Sequence, residues 1–70
     1  MSREEHLAWC KERALEYVTA GELADAVASM GSDLGKHPET QADPYLMMIG
    51  MRHVIDGDYA AVRRWIEGFH

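Results

Sequence analysis

The chain has 70 residues, a net charge of −5 at pH 7 and one cysteine, Cys10. A domain this short buries only about 60% of its unfolded surface, so its core is small, and a second copy or a staple would help to hold it. A lone cysteine excludes an intrachain disulfide and fits a reducing cytoplasm, and the scattered basic residues, with only Arg63 and Arg64 adjacent, disfavour binding to a phosphate backbone.

The opening MSREEHLAW places acids where a signal peptide needs an apolar run, and no stretch approaches the ~18 apolar residues of a membrane span. Ser2 and Glu5 form a capping box that starts helix 1, which runs to about residue 20, where Gly21 supplies a left-handed stop. Its apolar stripe at helical spacing is Leu7, Cys10, Ala14, Tyr17 and Val18. Helix 2 spans roughly residues 22–34 with Leu23, Ala26, Val27, Met30 and Leu34 on one face. After Gly35, KHPETQAD is the one long connection, a polar loop over residues 36–43. Asp43 caps helix 3, with Pro44 in its first turn, where a missing N–H costs nothing. Helix 4 starts near Asp58, after Gly57, and places Tyr59, Val62, Ile66 and Phe69 on one side. Short links force neighbouring helices to run antiparallel. The expected fold is therefore one all-α domain over residues 1–70, with hairpin 1 at about 3–35 and hairpin 2 at about 44–69.

A shift of 36 residues lays Ala14 on Gly50, Tyr17 on His53, Val18 on Val54, Gly21 on Gly57, Glu22 on Asp58, Ala26 on Val62 and Met30 on Ile66. Small Ala14, aromatic Tyr17, turn Gly21, small Ala26, large Met30 and terminating Pro38 resemble the tetratricopeptide pattern, in which small residues let two helices approach and large ones fill the gap. The second copy keeps Ile49, Gly50 and Gly57. Two such repeats are too few for a solenoid, so the resemblance implies a closed four-helix domain or a paired one.

The segment ADAVASMGSD also imitates the first helix and turn of a DNA-binding helix-turn-helix. Its second helix would have to pass through Gly35 and Pro38, at about 1 and 3 kcal/mol, and would carry Lys36 as its one dependable cation. A glycine at position 31 inside helix 2, on its solvent side, needs only the smaller penalty. Nucleic acid is therefore not an expected partner.

No constellation for chemistry is complete. His6 and Cys10 stand at i and i+4, a spacing that can hold two metal ligands, but no second pair completes a tetrahedral site. A Cys–His nucleophilic pair has no identifiable orienting group. Gly-rich phosphate loops are absent. The expectation is a protein that is no enzyme and carries no metal or cofactor.

Apolar residues surplus to the core say more. Trp9 shares the outer face of helix 1 with Glu5, Glu12 and Glu16, where it is covered by the C-terminal segment, stacks on Arg13 or anchors a partner. Helix 3, YLMMIGMRHVI, is apolar nearly all round, so some of Met47, Met48 and Met51 should face another chain. Self-association is the simplest such partner, and a homodimer is expected.

HLAWCKERALEYV, ASMGSDLGKHPET and the final IEGF resemble segments of small bacteriophage and prophage proteins. That resemblance implies a protein of the infected bacterial cytoplasm that binds and inhibits or redirects a host protein, including components of bacterial defence. The contact residues expected for such a role are Trp9, Met47, Met48, Met51 and Trp65, with Glu12 and Glu16 as a rim that steers a basic target. A different class is an oligomeric sponge for a small ligand or nucleotide, with Arg63 and Arg64 on the phosphates; a helix-turn-helix regulator is the third.

Overall fold

Four helices are present in the computed structural model, which describes residues 2–70, and no strand occurs among those residues. They are α1 (Arg3–Thr19), α2 (Leu23–Leu34), α3 (Pro44–Ile55) and α4 (Tyr59–Glu67), with one 3-10 turn at Pro38–Thr40. Side-chain caps begin three of the four. The Ser2 hydroxyl accepts from the Glu5 backbone N–H at 3.1 Å, and the Glu5 carboxylate accepts from the Ser2 N–H at 3.2 Å, closing the capping box. Asp43 accepts from the Tyr45 N–H at 2.8 Å and Asp58 from the Ala61 N–H at 3.0 Å.

The two tight turns are built alike. Gly21 has φ +81° and Gly57 has φ +65°, the left-handed region that disfavours any β-carbon. After α1 the Glu22 N–H reaches the Tyr17 carbonyl and the Gly21 N–H reaches Val18. After α3 the Asp58 N–H reaches His53 and the Gly57 N–H reaches Val54. Both are Schellman closures, which satisfy carbonyls that a helix end leaves free. The four positions match at the 36-residue shift seen in the sequence.

The core lies between α1, α2 and α4. Cys10, Ala14, Ala26, Val27, Met30, Val62 and Ile66 are wholly enclosed, with Leu7, Val18, Leu23 and Leu34 nearly so. Fully burying one large aliphatic side chain is worth about 1.5–3 kcal/mol, so this cluster dominates the stability. Cross-ties fix the helix ends: Lys11 Nζ donates to the Glu67 carbonyl at 3.1 Å, Tyr59 Oη to Gly21 at 3.2 Å and Thr40 Oγ1 to Leu34 at 2.7 Å.

Helix α3 is different. Gly50 is its one buried residue, and it packs on α2 and α4 while leaving most of its surface open. The contacts are made by glycine: the Trp65 indole fills the room beside Gly50, and Met47 lies over Gly31. Trp65 Nε1 also donates to the Leu46 carbonyl at 3.0 Å, which ties the start of α3 to α4.

Three sequence expectations change in detail, and one holds. Gly31 does not face solvent; it is the seat of Met47 on the α3 side of α2. Tyr59 is half exposed, because its hydroxyl reaches out to the α1–α2 turn, and Phe69 lies beyond the end of α4. The connection after α2 includes a 3-10 turn started by His37, whose Nδ1 accepts from the Glu39 N–H. No second helix follows Gly31 in the way a DNA-reading motif requires, since α2 continues through it to Leu34.

Candidate functional site

Two features stand out: a polar cluster where α1 meets the end of α2, and the open face of α3. The cluster is centred on Asp33, whose side chain is 3% exposed. Arg13 Nε donates to its Oδ2 at 2.8 Å, Lys36 Nζ to its Oδ1 at 3.0 Å, and Ser29 Oγ to Oδ2 at 3.4 Å. Burial alone would raise the Asp33 pKa, but hydrogen bonds from Lys36 and Arg13, and then their charges, outweigh it and hold the carboxyl below the usual aspartate value. Trp9 roofs the cluster. The Arg13 guanidinium lies 4.9 Å and the Lys36 ammonium 5.2 Å from its ring centroid, and His6 stacks at 5.7 Å. The indole is therefore half-buried against cations rather than free among acids, and stacking on Arg13 accounts for its position.

The His6–Cys10 pair does not form a nucleophile and its base. His6 Nε2 lies 2.8 Å from the Asp33 carbonyl, which can only accept, so this nitrogen carries a proton. The same nitrogen is 3.5 Å from Cys10 Sγ and has no lone pair to take the thiol's proton. Burial, followed by the Asp33 charge, pushes the Cys10 thiol above its ordinary pKa, the reverse of an activated nucleophile. His6 itself is buried. His37 comes within 5.5 Å of it, ring centre to ring centre. No three His, Cys, Asp or Glu side chains cluster to hold a metal among the described residues.

The α3 face is apolar and open. Tyr45, Met48 and Ile55 are 68%, 69% and 78% exposed, and Met51 is 42% exposed. Met47, Met48, Met51, Arg52 and Ile55 line a shallow groove of about 510 Å³. Met48, Met51 and Ile55 follow an i, i+3, i+7 spacing, which forms a straight seam along a helix. An exposed leucine or methionine alone needs no explanation, but a contiguous apolar patch marks an interaction surface.

The expected contact residues do not form one patch. Met47, Met48 and Met51 come together, although Met47 is half-buried over Gly31. Trp65 sits on the opposite side of α3, beneath Gly50 and edge-on to Phe69 with ring centroids 4.9 Å apart. Glu12 and Glu16 are exposed on the outer face of α1 and flank a groove with Ala8, Lys11, Leu15 and Thr19. Arg63 and Arg64 are exposed beside Thr19, Gly21 and Tyr59. Sequence reasoning missed Asp33, which follows Ala26 by seven and Met30 by three and so falls on the buried side of α2. It also passed over Ile55, which the i+7 spacing from Met48 could have found. No helix among the described residues is long and apolar enough to cross a membrane. No family model, no curated protein and no solved structure matches this chain.

Proposed function

We propose that the chain is a small non-enzymatic protein-binding module, of the kind its resemblance to bacteriophage proteins implies, that binds a bacterial host protein and inhibits or redirects it. One observation carries the reading: α3 displays Tyr45, Met48 and Ile55 to solvent at two-thirds exposure or more, and Leu46 and Met51 of the same helix are also exposed. Methionine suits such a face because its flexible, polarizable thioether adapts to an imperfect partner. The acidic outer face of α1, with Glu12 and Glu16, supplies the second contact surface and steers a basic target. The polar cluster beneath Trp9 fixes the relation of α1 to α2 and so keeps these two surfaces in register.

Affinity capture from bacterial lysate tests the proposal. The wild-type chain is compared with Glu12→Lys/Glu16→Lys and with Met48→Lys/Ile55→Lys, all four positions being exposed. Selective loss of one retained host protein by either double variant is expected. Identical retained proteins for all three chains would remove both faces from the proposal. Trp9→Ala is a weaker probe, since it also strips the stacking partner from Arg13 and Lys36.

A further inference from the structure

We infer that the open face of α3 is covered by α3 of a second copy of this chain, forming a two-fold dimer. This rests on the reading of that face as a protein-docking surface, names a second copy in place of the host protein as its occupant, and leaves the host contact to the outer face of α1. Charge favours a second copy there. The chain carries a net charge of −5, and exposed acids stand on α1 (Glu4, Glu5, Glu12, Glu16), on α2 (Asp25) and on α4 (Glu67, beside Arg63 and Arg64). Helix α3 has none from Pro44 to Ile55. Two copies that each carry a net charge of −5 repel overall, but here apolar surface meets apolar surface with no acid on either helix.

The seam is self-complementary. In an antiparallel pairing with the axis near Met51, Met48 of one copy lies against Ile55 of the other, and the two Met51 side chains meet at the centre. Residue i then contacts j where j contacts i, as an isologous interface requires. The one charged side chain on the groove, Arg52, is already matched by its own Asp56 at 3.4 Å and leaves no unbalanced charge at the axis. Tyr45, Met48, Met51 and Ile55 together expose roughly 500 Å², less than the ~800 Å² that each partner contributes to an interface of standard size, which places the pairing at the small, concentration-dependent end. The arrangement also leaves Glu12 and Glu16 uncovered on both copies, since α1 packs on α2 and α4 rather than beneath the α3 seam.

Light scattering on the eluted protein, from the micromolar to the millimolar range, tests the inference. Wild type should rise from the 7.9 kDa of one chain to twice that mass. Met48→Lys/Ile55→Lys should stay monomeric with an unchanged helical circular dichroism spectrum. Met51→Cys should form a disulfide-linked dimer under mild oxidation, whereas Glu16→Cys should not. A wild type that stays monomeric throughout, or a lysine variant that dimerises equally well, overturns the inference. If wild type is monomeric but the same lysine variant loses a host protein in the capture experiment, the second-copy inference falls and the docking reading stands. If neither dimerisation nor capture responds to the lysines, both fall.

Discussion

A β-carbon placed on Gly50 would lie 2.7 Å from Cζ2 of Trp65, closer than real side chains approach. The indole cannot easily retreat, because its Nε1 is tied to the Leu46 carbonyl at 3.0 Å and its ring packs edge-on against Phe69. Gly50→Ala should therefore cost about 1–3 kcal/mol by overpacking, of which the better helix propensity of alanine returns up to about 1. Gly31→Ala is the contrasting case. Its β-carbon would meet Met47 Cε, the far end of a flexible side chain, so the propensity gain should survive and the variant should be neutral or slightly stabilised. Thermal midpoints of the two variants check this; a Gly50→Ala protein as stable as Gly31→Ala would show that Trp65 is not the wedge described.

That pair also shows what the sequence made legible. Gly50 falls opposite Ala14 at a 36-residue shift, so its smallness was readable as a helix crossing. The aromatic ring that uses the space was not, because Trp65 comes from another helix and its neighbour across the gap depends on crossing geometry. Helix starts were legible from local chemistry, in Ser2 with Glu5, in Asp43 with Pro44 and in Asp58. Both glycine turns were legible for the same reason, since a left-handed closure involves only residues within six positions. The polar cluster was not, because Arg13 and Asp33 are 20 residues apart and nothing local pairs them. Trp9 was read from its angle on α1 alone, which could not reveal that Lys36 arrives from the far end of α2 to stack on it.

The Asp33 carboxyl gives the fold an acid limit. Its folded pKa lies below the ordinary value of 3.8, so the folded state binds fewer protons than the unfolded chain in that range. The stabilisation is complete above the unfolded value and is lost as pH falls from about 4 through the lower folded value. Asp33→Asn should flatten this part of the stability profile. At pH 7 it should cost about 1–3 kcal/mol, the penalty for weakening hydrogen bonds to a buried charged group. Urea unfolding at pH 7 and again at successively lower pH measures both effects. An unchanged acid slope in the variant would assign it to other carboxylates.

Gly57 isolates backbone conformation from packing. Its φ is +65° and nothing lies within 4 Å of an added β-carbon, so Gly57→Ala should cost only the left-handed penalty of about 1–2 kcal/mol. Gly57→Asn should cost less, because asparagine tolerates that region better. The ranking glycine, asparagine, alanine in urea midpoints is the expected result. Alanine matching glycine would mean that the turn relaxes to another closure.

Cys10 can report on the core without any added probe. Its thiol is wholly enclosed and its pKa is raised, so a thiol reagent should react only when the helices part. Native labelling should then be slow and should follow the opening equilibrium rather than the reagent's intrinsic rate. Ile66 lies in the same core and is equally enclosed. Ile66→Ala should destabilise the fold by about 2–5 kcal/mol, which at 1.4 kcal/mol per decade raises the population of open chains at least tenfold. Labelling of Cys10 should accelerate by the same factor, while Met48→Lys/Ile55→Lys, on the outer face of α3, should leave the opening of the monomer nearly unchanged. Fast labelling of the wild-type protein, or labelling indifferent to Ile66→Ala, would mean that the α1–α2 seam opens on its own without the rest of the core.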